Sequence, residues 1–209
     1  MSGIISQNVG RTSGLVKAVA AAGGVWTLIK TLTASADSDL SFVDGTDDVA
    51  LDSTYPIYVL KFINIHAGTH DANFTFNGSS DGGSNYNVTK TTTTFYGYHN
   101  EADGTTGLGY DEGHDIAQGT GYCQIGGDAM GIDNDQGCSG TMFLFNPSST
   151  TFVKHFMVTM NTLTEADYDV NEYTAGYCNT TSAIDAVDFK FTSGNIDAGK
   201  IKLYGIGDS

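Results

Sequence analysis

The sequence predicts an all-β protein: an antiparallel β-sandwich, jelly-roll-like, with a short N-terminal arm. Three observations carry the prediction. Apolar and polar residues alternate with a period of two in several runs, as in Val187, Phe189 and Phe191 against Asp188, Lys190 and Thr192. Successive side chains of a strand point to opposite faces, so this is the pattern of a strand with one face buried. The 209 residues include 27 Gly but only 2 Pro, and small polar turn formers separate the aromatic and β-branched runs. Those runs number roughly nine to eleven at spacings of about 8–15 residues, the rhythm of a sandwich or jelly roll.

Residues 1–24 form the arm and residues 25–209 the sandwich domain. Ser13 can cap a short helix over 15–22 that Gly23-Gly24 would end, while Gly10 and Gly14 favour an extended arm instead. In either form the segment is too short to own a core, so Ile4, Ile5, Leu15 and Val16 are the anchoring candidates. A first strand is expected over 25–32, and a short one at Phe42-Val43 within an acidic loop. The run 55–66 (YPIYVLKFINIH) is apolar on both faces and reads as a central strand covered on both sides. Phe74 and Phe76 point inward from the next strand, and a Thr-rich run over 86–98 suits a solvated pleated face. Region 100–137 is rich in Gly and Asp and reads as long loops around short strands such as 122–125. Strand patterns resume at 139–145, 152–160 and 173–180. The chain then closes with 184–207, which reads as a β-hairpin turning at Ser193-Gly194-Asn195.

Composition excludes several functions. Nine Lys and Arg against 24 Asp and Glu give a net charge of −15, which repels a phosphate backbone and argues against nucleic-acid binding. No secretion signal and no membrane-length apolar run is legible, so the chain is expected to be soluble, made in a reducing cytosol and without membrane insertion. Cys123, Cys138 and Cys178 fit no metal motif and read as free thiols, with a Cys123–Cys138 bridge as the alternative.

No catalytic constellation stands out. A Ser-nucleophile elbow, a phosphate loop and a dinucleotide fingerprint are all missing. Tyr110, Asp111, His114 and Tyr122 are the candidate ligand-contact residues of the irregular region, and Tyr96 and Tyr98 are further rings able to stack on a sugar. His114-Asp115 has the form of an acid/base pair without a nucleophile. His66, His70 and Asp71 lack a third metal ligand in defined geometry and read as a polar turn. No cofactor is expected. The one metal alternative is Ca²⁺ at Asp128, Asp133 and Asp135, oxygen donors in a Gly-rich loop without EF-hand spacing.

Several phrases carry a resemblance: GIISQNVGRTSGLVK at 3–17, LDSTYPIYVLKFINIH at 51–66, NDQG at 134–137, FNPSSTTFVKHF at 145–156 and the closing run NTTSAIDAVDFKFTSGNIDAGKIKLYGIG at 179–207. Together they resemble the small virion-associated structural proteins of tailed bacteriophages of marine bacteria. The resemblance spans nearly the whole chain and implies a β-sandwich displayed on the exterior of the virion as a homo-oligomer. It carries over no catalytic residues. The expectation is therefore a non-enzymatic virion surface protein that decorates or projects from the capsid through its arm. Its partners would be other capsid or tail proteins and copies of itself, as a homotrimer. The first alternative is a receptor-binding tail-fibre tip domain whose 100–137 loops touch host surface glycans. A jelly-roll carbohydrate-active enzyme is the third reading.

Overall fold

The structure, a computed structural model, describes residues 24–208. The anchoring candidates Ile4, Ile5, Leu15 and Val16 lie outside the described residues. Twelve strands are present and, among the described residues, no helix: β1 (Trp26–Thr33), β2 (Leu40–Val43), β3 (Ile57–Ala67), β4 (Ala72–Ser79), β5 (Lys90–Asn100), β6 (Thr106–Tyr110), β7 (Cys123–Met130), β8 (Cys138–Phe145), β9 (Lys154–Leu163), β10 (Tyr168–Cys178), β11 (Ala186–Phe191) and β12 (Ile196–Ile206). They form two antiparallel sheets, one of eight strands in the order β1-β12-β3-β8-β9-β10-β5-β6 and one of four in the order β2-β11-β4-β7.

The pairings explain the order. β1 pairs with β12, β2 with β11, β3 with β8 and β4 with β7. The outgoing half of the chain is thus laid antiparallel along the returning half, and the double ribbon is rolled into two layers. That is the winding of a jelly roll. The remaining four strands are insertions: β5 and β6 between β4 and β7, and β9 and β10 between β8 and β11. They extend the larger sheet past β8 in the order β9-β10-β5-β6.

The alternation seen in the sequence builds the core between the layers. Tyr58, Leu60 and Phe62 of β3 face Phe74 and Phe76 of β4 and Phe189 and Phe191 of β11, all buried. Phe62 meets Phe74 at 5.6 Å and Phe189 at 5.2 Å between ring centroids, edge-on, and Phe76 meets Phe156 at 5.0 Å. Such tilted contacts place a positive ring edge against a negative face. β3 does run between two neighbours, β12 and β8, yet among the described residues no second layer of strands covers its far side. Val59 is buried there because the register sets Tyr204 and Phe143 on either side of it.

Two expectations change. The run 184–207 is not a hairpin: β11 lies in the four-stranded sheet and β12 in the eight-stranded one. The link 192–195, with Gly194 at φ 70°, crosses from layer to layer. Stacked sheets lie about 10 Å apart, within reach of four extended residues at about 3.3 Å each. Period-two alternation identifies a strand but not its partner. In the Thr-rich run of β5 only one side is solvated, since Thr92 and Thr94 point inward and are buried. The cysteines are free and buried, with no Cys123–Cys138 bridge.

Candidate functional site

Eight strands facing four leave an overhang. β7 reaches over β9 and β10, and past them the inner face of β5 and β6 has, among the described residues, no strand opposite it. Chain 111–121 closes one end of this face through Thr92 N donating to Ile116 O (2.8 Å) and Lys90 N to Gly119 O (2.9 Å). Lys90 is fully buried beneath it, its Nζ donating to Gly121 O at 2.7 Å. Burial holds this amine below the ordinary lysine range.

The other end stays open as a cleft of about 470 Å³, walled by Tyr96, Tyr98, Tyr168 and Glu172 on the sheet and by Asp111 and Asp128 opposite. The register explains the wall. Tyr98 lies beside Val170 and Tyr96 beside Glu172, so β5 and β10 present the same inward face. On β6 the inward partners are glycines: Gly109 beside Tyr96 and Gly107 beside Tyr98. A Cβ on Gly107 would sit 2.6 Å from the Tyr98 ring, and one on Gly109 would sit 3.3 Å from the Tyr96 hydroxyl. The missing side chains let both rings lie over β6. Their centroids are 6.0 Å apart, and Tyr168 meets Tyr98 edge-on at 5.7 Å.

The opposite wall begins at the end of β7. Ala129 has φ 54°, a left-handed conformation that is sparsely populated for a residue with a Cβ. It is fixed from both sides, its N donating to Asn73 Oδ1 (2.9 Å) and its O accepting from Glu165 N (2.9 Å). This bend sets Asp128 at the mouth. There Asp128 Oδ1 lies 3.8 Å from His114 Nε2, while His114 Nδ1 lies 2.6 Å from Asp111 Oδ2.

Glu172 is the floor. It is 3 % exposed and accepts from Thr174 Oγ1 at 3.3 Å. Burial pushes its carboxyl up to about 7; the Thr174 bond and His114 oppose the shift, and Asp111 and Asp128 add to it. Below about pH 7 the floor therefore holds a proton that it can donate to a ligand oxygen. Neither Lys nor Arg is among the residues lining the cleft.

Comparison with family models, curated proteins and solved structures finds no match to this chain. The site is thus read from its own geometry.

Of the candidate contact residues, Asp111 and His114 come together at the cleft, and Tyr96 and Tyr98 line it. His114 is paired with Asp111, not with its neighbour Asp115, whose Oδ2 accepts from Tyr110 at 2.6 Å. Tyr110 itself lies on the opposite face of the sheet, beside Phe95. Tyr122 is elsewhere again. It donates to Asp188 Oδ2 at 2.8 Å, beneath Lys190 at 4.0 Å from its ring centroid. Burial raises both this phenol and the Asp188 carboxyl above their ordinary ranges. Among the described residues no group of three or more His, Cys, Asp or Glu is placed to hold a metal ion, so Asp128, Asp133 and Asp135 do not form one. Asp128 belongs to the cleft, while Asp133 caps its own loop, with Gln136 N donating to its carbonyl at 3.0 Å. Glu172 and Tyr168 escaped the sequence reading. Their signal was the inward phase of 168–174, where Tyr168, Val170 and Thr174 share a face with a carboxylate.

Proposed function

We propose that this chain is a non-enzymatic virion surface protein whose sandwich recognises a glycan through the tyrosine cleft. The resemblance supplies the virion setting. The observation that carries glycan recognition is the pair Tyr96 and Tyr98, laid over Gly109 and Gly107 beside the buried acid Glu172. Flat rings suit the apolar face of a pyranose, and a few convergent polar groups fix its hydroxyls. The overhang is where an eight-stranded sheet leaves such a face open, and this favours receptor recognition over capsid decoration.

The test is binding of a host-surface glycan panel to the full chain and to Tyr98→Ala and Glu172→Gln. Each variant is expected to weaken the best ligand by about tenfold or more, since each removes a contact of roughly 1–3 kcal/mol. Unchanged binding by both variants refutes the cleft as the site. Release of reducing ends by the wild type, abolished in Glu172→Gln, would replace recognition by hydrolysis. Counting copies per particle separates the settings: a few dozen or fewer supports a tail or fibre position, and hundreds support decoration.

A further inference from the structure

The outer face of the eight-stranded sheet, opposite to the cleft, is unusual for a chain of net charge −15. The register lines up Leu28, Tyr204, Val59, Phe143, Met157 and Ala175 as one row across β1, β12, β3, β8, β9 and β10. In a parallel row Trp26 joins Ile206, Ile57 and Phe145. On the other side runs a row from Lys202 and Lys61 through Thr141 and Thr159 to Tyr173 and Phe95. None of these positions is Asp or Glu, in a chain that has 24 of them. Yet Leu28 is 51 % exposed, Met157 56 % and Phe95 47 %.

We infer that this face is a twofold self-association surface, covered by the same face of a second copy of the chain. The argument is self-complementarity, which an isologous contact requires. The sheet order places the midpoint between β8 and β9. A twofold axis lying there, parallel to the strands, sets β3 over the partner's β10 and β12 over its β5. Lys61 then faces the partner's Tyr173, and Lys202 faces the partner's Phe95. Those two rings are stacked at 4.9 Å, 10° from parallel, and offer a broad aromatic surface to the ammonium groups. Lys61 already lies 5.2 Å from the centre of the Trp26 ring, the same kind of contact within one copy.

The relief of the face obeys the same symmetry. The half formed by β9, β10 and β5 holds an apolar groove of about 510 Å³ bordered by Thr93, Met157, Ala175 and Tyr177. The half formed by β8, β3 and β12 carries Phe143 and Tyr204, and Phe145 stands on the rim of the groove. The axis brings the ring half of each copy onto the groove half of the other. Size is adequate as well. Eight strands at about 4.8 Å spacing and three rows along them give on the order of 700 Å² per copy, close to the ~800 Å² of a standard specific interface. Two such sheets would pack at about 10 Å and about 30°, as in any sandwich. This contact is twofold and so differs from the homotrimer expected of the chain from its sequence.

Sedimentation and light scattering of the full chain test the inference. The expected mass is twice the 22.0 kDa of one chain. Met157→Lys, at the centre of the face, should return the mass to one chain by weakening association ~tenfold or more, and at a dilution where the wild type is also a single chain the two should melt at the same temperature, because the side chain is exposed in one copy. Lys61→Glu supplies a second, peripheral variant expected to weaken the pair. A mixture of Thr141→Cys chains with Thr159→Cys chains should form a disulfide-linked pair under mild oxidation, which neither forms alone. A single-chain mass at all concentrations overturns the proposal, as does a threefold mass or a dimer indifferent to Met157→Lys. A monomer that associates only after deletion of residues 1–23 also overturns it, and assigns the face to that segment instead.

Discussion

Glu172 concentrates the tension between fold and function. It stands on the inward face of β10, where its neighbours Val170 and Thr174 are ordinary core-facing residues, and it carries a carboxyl that burial holds at about 7. Asp111, Asp128 and His114 face it from across the cleft, and Thr174 from its own strand. Between pH 4.5, the ordinary value of the group, and about 7, the folded chain keeps a proton that the unfolded chain has released. Stability contributed by this group therefore falls as pH rises through that window. The loss is complete above it, at about 3 kcal/mol, 1.36 kcal/mol for each unit of the shift. Glu172→Gln removes the titration while keeping an oxygen for Thr174. The melting temperature is expected to rise by several degrees above pH ~7 and to change little below pH ~4.5, flattening the profile between. Thermal melts across that range decide it, and a variant with the wild-type pH profile would show that Glu172 is ionised in the fold. Lower glycan affinity in the same, more stable variant would be the signature of a site that trades stability for binding.

At the scale of elements, β3 shows what alternation can and cannot specify. Tyr58, Leu60 and Phe62 point inward, but so do Ile65 and Ala67, three and five residues later and out of phase. A bulge makes the correction: Asn64 has φ 48°, and the pairing with β12 and with β8 shifts there. Across from it Gly199 has φ 120°, and a Cβ would stand 2.5 Å from Asn64 O, a backbone atom that cannot swing aside. Gly199→Ala is expected to destabilise the fold by on the order of 3 kcal/mol, from backbone strain together with the clash. Urea unfolding measures it, and a loss below about 1 kcal/mol would mean that the bulge relaxes freely. A bulge of this kind is hidden in the sequence because YVLKFINIHA reads as one apolar run. Most strands were legible, including β2 inside its acidic loop and the inward Phe74 and Phe76, but β6 was hidden in the Gly-rich region 100–137 and β10 begins five residues before the run that marks it. Their partners were not. Phe189 and Leu203 have the same alternating context, yet they enter the core from different sheets, because a four-residue link can fold back within a sheet or cross between sheets.

For the whole molecule, the same limit on partners explains why the cleft could not be read in advance. Tyr96, Asp111, Asp128 and Glu172 are gathered only because insertions between β4 and β7 and between β8 and β11 join one sheet and overhang the other. The rolled core beneath them ties the two layers together and makes opening a global event. The cysteines report on that. Cys123, Cys138 and Cys178 come from β7, β8 and β10, and are exposed by 0 %, 2 % and 1 %. Burial raises all three thiols, Cys123 to about 12 and Cys178 to about 11, with Lys90 and Lys154 only partly offsetting it for Cys178. The reactive species is the thiolate, so these groups lack both access and charge. In the native protein a disulfide reagent should label none of them on the timescale on which a free thiol reacts. All three should react at once in denaturant, and a reducing agent should leave the melting temperature unchanged because no bridge exists to break. Labelling of the native state should then follow the global unfolding equilibrium, with one shared rate for the three sites. Rapid labelling of Cys123 and Cys138 alone would mean that β7 and β8 open separately. The wall of the cleft that carries Asp128 would then belong to a locally labile unit and not to the rolled core.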